Sequence, residues 1–426
     1  MASGASGYIR RESVIPPPDK NKPKISSTIA FRHPAYRVYF IGQLISISGT
    51  WMQAVAQQVV VYNLTGSELA LGLTASAQGL PALILTPFAG VIVDSFDKRK
   101  VLLLTQTAMM LLALMQAALQ FSGLLQVWHI IALSLLLGIL NALDAPARQA
   151  ITIDLVGHEH LSSGITMNAL MFNSARIIGP MIGGIALATV GAAWCFLLNG
   201  LSFLAVIGGL LRIHTQSTTK RPEHFEVLKP LIEGIKFARA HPVIGPLLTL
   251  AAIASCFGLS YATQIAPYAK LTLDNVEVGT SALQTAQGVG TVIASLWMAK
   301  AVNSGKRGQI VLRYNLIGAA AVILLGLSRN FWLALPLTAL ASGAFIAQFI
   351  TTNTLIQSEV PDELRGRILS LYTITFFGLG PLANLLLGII AEGLTAPVAM
   401  IIFGLVALLG SGYILLVRAP HLRTLS

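Results

Sequence analysis

Apolar runs of about twenty residues recur along the chain, and short polar connections divide them. A helix needs about that length to cross the hydrocarbon of a bilayer, where its backbone groups can bond only to one another. Twelve runs qualify, at roughly 38–62, 69–93, 101–122, 126–149, 163–188, 191–212, 243–268, 278–301, 309–328, 331–356, 366–390 and 396–417. The pattern predicts an all-α polytopic membrane protein of twelve membrane-spanning helices. Residues 1–35 form a polar tail with no apolar core of a signal peptide. Residues 36–212 hold the first six spans, 213–242 the longest connection, 243–418 the last six spans, and 419–426 a short tail.

Composition agrees with this pattern. Of 426 residues 54% are hydrophobic and 11% charged, against about 25% charged in soluble domains. A net charge of +11 would suit nucleic acid, but the basic residues sit in clusters between the apolar runs, so no such partner is expected. Placing alternate connections in the cytoplasm puts 25 of the 28 Lys and Arg there, leaving Lys270, Arg329 and the intramembrane Arg176. Both termini are then cytoplasmic, in a bacterial inner membrane. Cys195 and Cys256 lie inside apolar runs and suggest packing rather than disulfide or metal chemistry. In the long connection, Phe225, Leu228, Leu231, Ile232 and Ile235 recur at helical spacing among Lys220, Arg221, Lys229, Lys236 and Arg239. An amphipathic helix on the lipid surface and a plain linker both fit that stripe.

An internal repeat supports two related halves. Gly179-Pro180 and Gly380-Pro381 stand 201 residues apart, each deep in the fifth span of its half and each preceded by a charged connection. Two six-helix pseudo-repeats imply a central cavity about which the halves rock.

Around the second and third spans, Gly90-Val91-Ile92-Val93-Asp94 is followed by Asp97-Lys98-Arg99. This segment resembles the same connection in the major facilitator superfamily, with departures at Ser95 and Asp97. The resemblance implies a gate latch of Gly90, Asp94, Lys98, Arg99 and Arg148, in which Asp94 faces the N-terminal dipole of the eleventh span near Pro361-Asp362. The corresponding segment of the second half, Met298 to Arg307, has Val302 in place of the aspartate. Gly179-Pro180-Met181-Ile182-Gly183-Gly184 matches the Gly-Pro-x-x-Gly-Gly core found in the superfamily's exporters, often proton antiporters. Gly179, Gly183 and Gly184 allow close helix packing, and Pro180 weakens the backbone ladder.

A narrower likeness runs through Trp51-Met52-Gln53, Val61-Tyr62-Asn63-Leu64-Thr65-Gly66-Ser67, Asp144-Ala145-Pro146-Ala147-Arg148-Gln149-Ala150 and Phe172-Asn173-Ser174-Ala175-Arg176. These segments resemble the branch that holds enterobactin-type siderophore exporters and macrolide efflux proteins. It implies a proton-coupled exporter of a small amphipathic molecule, siderophore or drug-like, acting as a monomer without a cofactor; an importer or a lipid flippase is the alternative on the same fold.

Two charges within the spans stand out, because an intramembrane charge costs about 2.5–3.5 kcal/mol on insertion scales. Asp144 either takes and releases a proton, tuned by Arg176 or Arg148, or forms a static pair with Arg148 four residues on. Arg176 either binds an anionic substrate or holds spans 4 and 5 together. The superfamily places spans 1, 4, 7 and 10 around the cavity, which nominates Gln53, Gln57, Asn141, Gln264 and Gln348, with Asn173 on span 5. An enzyme would need a converging catalytic cluster. The densest candidate, His158-Glu159-His160, reads as a solvated connection.

Overall fold

The structure, a computed structural model, describes residues 28–213, 228–301, 307–414 and 416. The tail before residue 28, the stripe positions before 228, Lys220, Arg221, Val302 and the last residues fall outside these ranges. Twelve membrane helices run through the described chain, and the ends carrying the basic clusters gather on one side, here the basic end.

In the first half these are α1 (Pro34–Thr65), α2 (Glu68–Ser95), α3 (Lys98–Phe121), α4 (127–156), α5 (158–189) and α6 (Ala192–Arg212). The sequence marks most of the boundaries chemically. Pro34 opens α1, where a missing N–H costs nothing. Gly66, at φ 63°, closes it by donating to the Tyr62 carbonyl. Ser67 then caps α2 by accepting from Ala70 N–H, and Asp97 caps α3 by accepting from Arg99 N–H at 2.9 Å. That cap explains an aspartate where the superfamily pattern has glycine. The connection between spans 4 and 5 is not the loop expected around His158-Glu159-His160. Helical backbone runs up to it and away from it, and the turn is confined to Gly157 at φ 73°, a conformation that favours glycine. His160 Nδ1 lies 3.0 Å from His33 Nε2 across this corner.

The second half holds α7 (244–273), α8 (Val276–Ala301), α9 (Arg307–Leu327), α10 (Phe331–Glu359), α11 (362–393) and α12 (Ala396–Tyr413). Here two helices are broken. α7 passes through a π turn at Ala254–Gly258 and a tight turn at Ser260–Gln264, and α11 through a π turn at Ile374–Gly378. The breaks face each other, and Ser255 Oγ donates to the Phe376 carbonyl at 2.5 Å. A π-helical acceptor at Phe376 looks to residue 381 for its donor, and Pro381 has no N–H to give. Ser255 supplies that carbonyl with a donor from across the two breaks. The matching Gly179-Pro180 lies in α5 without a π turn. The two Gly-Pro pairs therefore hold one position in the repeat but two different backbones.

Between the halves, a linker helix spans Leu228–Ala240. Over residues 232–240 one side of it packs on the protein. Ala238 is buried and Phe237 packs in the core shared with α7 and the basic end of α11, while Glu233 pairs with Arg367 of α11. Ile232 remains exposed.

Candidate functional site

Helices α2 and α11 run antiparallel along the boundary between the halves and meet closely over the side away from the basic clusters. A Cβ on Gly72 would lie 2.6 Å from the Asn384 carbonyl, and one on Gly79 only 2.4 Å from the Pro381 ring. Ser76 donates to the Pro381 carbonyl at 2.6 Å. At the outermost level, Glu392 of α11 accepts from the Ser67 hydroxyl at 2.8 Å and from Leu69 N–H at 3.0 Å. A carboxylate thus sits on the N-terminus of α2, where free N–H groups and the helix dipole favour an anion. Those two bonds hold the Glu392 carboxyl below the usual glutamate range. Neighbouring Glu68 is pushed up, first by burial and then by Glu392. Gln58 bonds to the Ala262 carbonyl and Gln284 to Gln58, at 3.1 and 2.9 Å, and Gln264 donates to the Glu68 carbonyl. Gln264, expected at the cavity, belongs instead to this seam. One apolar core crosses the seam, adding Ala266 and Val276 of the second half to residues of the first.

The basic end is different. There the two halves keep separate cores. A Cβ on Gly90 would meet nothing within 4 Å. Asp94 is exposed and held by no hydrogen bond or ion pair among the described residues. The rest of the expected latch serves the first half itself. Arg99 donates to the Leu210 and Leu211 carbonyls at 2.7 and 3.0 Å, capping the C-terminus of α6. Lys98 is buried near Asp154, whose carboxyl is pushed up by burial while Lys98 draws it back. The chain is therefore closed on one side and open on the other.

Within the first half lies a cavity of about 320 Å³. Gln53, Gln57 and Asn141 line it; Asn173 and Gln348 do not, and Gln348 bonds to Thr352 within α10. Side chains not nominated from sequence complete the wall. Asn199 donates to Gln53, Gln53 to Gln116, Gln116 to Gln57, and Gln57 to Ser134, at 2.6, 3.0, 3.3 and 3.2 Å. This relay ties α6, α1, α3 and α4 together and satisfies amides that would otherwise be costly in the membrane. Gln116 and Asn199 were legible as polar residues in apolar spans, but considering only spans 1, 4, 7 and 10 passes over them.

At the cavity's basic end Asp144, fully buried, accepts from Thr105 and Gln106, both at 2.8 Å, and pairs with Arg148 at 2.8 Å. Gln106 and Arg148 also line the cavity, so the carboxylate is one side chain removed from it. The Arg148 guanidinium lies over the Phe172 ring, 5.4 Å from its centroid. Arg176 does not join this cluster. It stacks over Trp51 at 5.3 Å, with its own carbonyl 2.7 Å from where a Cβ on Gly288 of α8 would stand. The exporter-like motif above it packs in two directions. A Cβ on Gly179 would sit 2.4 Å from that of Trp51 on α1, and one on Gly184 would meet Ser281 of α8 at 2.7 Å, while Gly183 is in ordinary contact with Met52.

Comparison with known proteins agrees with the architecture. The family described as transmembrane secretion effector matches residues 25–425. The enterobactin exporter EntS of Shigella flexneri is 28% identical over 348 residues, which is 80% of this chain and 81% of the relative. EntS from an Escherichia coli O139:H28 strain is 27% identical over 347 residues, with the same shares covered. Among solved structures, the nucleoside transporter NupG aligns with a TM-score of 0.73 at 9% identity, covering 89% of this chain and 98% of its own. A D-xylose-proton symporter aligns with a TM-score of 0.69 at 13% identity, covering 93% and 99%. At such identities the likeness to these structures is one of fold.

Proposed function

The chain belongs to the transmembrane secretion effector family of the major facilitator superfamily, and on that premise we propose that it is a secondary exporter working by alternating access. Its substrate is a small amphipathic molecule, siderophore or drug-like, and its driving force a proton gradient across a bacterial inner membrane. The positive-inside rule, applied to the basic clusters, supports a cytoplasmic basic end with both termini on that side. The conformation described here is then the inward-open state, ready to load substrate from within.

The observation that carries this reading is the antiparallel pair α2 and α11, interlocked from Glu392 to Leu83 and apart at Gly90 and Asp94. A rocking motion that releases Glu392 from α2 and brings Asp94 to the N-terminus of α11 exchanges one closed end for the other. Direction rests on the EntS relatives, which are exporters, since the fold is shared with a D-xylose-proton symporter and by itself carries no direction. In coupling, the Asp144–Arg148 pair at the cavity's edge is the exchange point. A proton on Asp144 would release Arg148, whose stacking on Phe172 borders the ligand space. Everted vesicles carrying the protein should accumulate substrate when an inward-acid gradient is imposed. Accumulation only in right-side-out vesicles would overturn export.

A further inference from the structure

Each half of the molecule has a groove between its first and fifth helices, and the repeat places the two in register. Leu379 precedes Gly380-Pro381 in α11 and lines one; Ile178 precedes Gly179-Pro180 in α5 and lines the other. The first-half groove holds about 350 Å³, and its wall carries no charged side chain. Ile45, Ile178, Ile182 and Leu198 on that wall are all exposed, which marks a flank turned to lipid, since lipid tails are as apolar as these side chains.

The second-half groove is larger, about 840 Å³, and the linker helix adds to its wall. It follows α7 from Gly245 to Ala252 and α11 from Leu371 to Leu379, about 10–12 Å along each at 1.5 Å per residue. The hydroxyls of Thr249 and Thr375 on this stretch are returned to carbonyls of their own helices, so the wall is effectively apolar. At the basic end the chemistry changes. Arg239 is exposed and, among the described residues, makes no hydrogen bond or ion pair. The neighbouring Arg367 differs, because Glu233 already pairs with it. His241 accepts from Val243 and Ile244 N–H on Nδ1, at 3.2 and 3.3 Å, so its proton sits on Nε2. That cap leaves Nε2–H as a donor, with the ring against Phe237. No Asp or Glu lines the groove. An anion with an apolar tail suits this combination. We propose that the groove binds an anionic phospholipid from the leaflet at the basic end, its phosphate held by Arg239 and His241 Nε2–H and one acyl chain laid between α7 and α11. The bound lipid touches the linker, α7 and α11 at once, whatever the substrate and whichever way it moves.

Native mass spectrometry of the full chain, released from detergent micelles holding equal palmitoyl-oleoyl phosphatidylglycerol and phosphatidylcholine, tests this site. The phosphatidylglycerol adduct should exceed the phosphatidylcholine adduct about fivefold. Arg239→Gln should bring that ratio close to one, and Arg239→Lys should keep part of it. Lys100→Gln, at an exposed position in a basic cluster of the first half, should leave it unchanged. Equal retention of the two lipids by the wild type overturns the proposal. So does a fall in Lys100→Gln as large as in Arg239→Gln, which would make the preference a diffuse attraction to basic charge. Ala252→Trp fills the groove and should reduce both adducts; unchanged adducts in that variant overturn the site. Should Ala252→Trp not fold, glycerophosphoglycerol, the headgroup without its chains, takes its place and should fail to displace phosphatidylglycerol. Displacement by it, or by millimolar inorganic phosphate, means a site for free anions and overturns the lipid.

Discussion

The two ends of the α2–α11 pair are built from the same parts and stand in opposite states. Each end offers an acidic side chain at the C-terminal end of one helix and a helix N-terminus on the other: Glu392 with α2 at one end, Asp94 with α11 at the other. Glu392 is bonded to Ser67 and Leu69; Asp94 is exposed. Tight seating at one end goes with separation at the other because two packed helices pivot as rigid bodies rather than bend. An acid on a helix N-terminus is worth only about 0.3–1 kcal/mol at an exposed site. Such latches bias an equilibrium between two states without locking either.

The comparison breaks most completely at Gly79. Gly79→Leu puts a side chain into the Pro381 ring, so the closed end cannot form. Transport should fall more than tenfold, and a cysteine introduced as Gln58→Cys should become reactive to an impermeant maleimide from that side. Normal transport by the variant would mean that the seam closes without this contact. Next in size is Asp144→Asn, which leaves Arg148 without its counter-charge. We expect gradient-driven accumulation to drop about tenfold while equilibrium binding of substrate is largely kept. Full coupling in the variant would assign Asp144 to structure alone.

The latches should have smaller effects, and of opposite sign. Glu392→Gln should shift the population toward the state open at that end by a few-fold, seen as a change in spin-label distances. The sign of its pH dependence follows from its depressed pKa. Stabilisation of the closed end is fully present above the usual glutamate value and fades as pH falls through the lowered one. Glu68, raised by burial, works in the other direction, so the loss of acid-induced opening in Glu392→Gln isolates the Glu392 contribution. Asp94→Asn should leave the present state unchanged and depopulate the reverse one, again by a few-fold. A Gln and an Asn variant that move distances the same way would refute the pairing of the two ends. Smallest is Ser255→Ala. It removes the hydrogen bond that Ser255 gives the Phe376 carbonyl and should cost about 0.5–1.5 kcal/mol in thermal or denaturant unfolding, with little effect on substrate affinity.

Much of the site was legible as residue type and little of it as arrangement. Gln53, Gln57 and Asn141 could be nominated because a polar side chain in an apolar span needs a reason. Gln264 carries the same signal, yet it lies at the seam, and nothing local distinguishes a cavity wall from a helix contact. Asp144 was visibly the isolated carboxylate. That Thr105 and Gln106 of α3 would join Arg148 around it depends on which faces of α3 and α4 meet. Arg176 was marked by depth alone, and its stack on Trp51 arises because Gly179 lets α5 approach α1. The superfamily latch carried over as a motif, but Arg99 and Lys98 proved to serve α6 and Asp154.

By itself the sequence determined the solvent, the number of spans, the repeat and the chemical identity of the groups buried among apolar residues. These follow from length, hydropathy and the cost of unpaired backbone in lipid, all of which act along the chain. Tertiary structure alone decided that Gly157 turns the chain between α4 and α5, that Pro381 comes with a π turn where Pro180 does not, and that one end is closed while the other is open. Those outcomes depend on contacts between residues more than a hundred positions apart and on small energy differences between alternative packings. No local pattern records such terms.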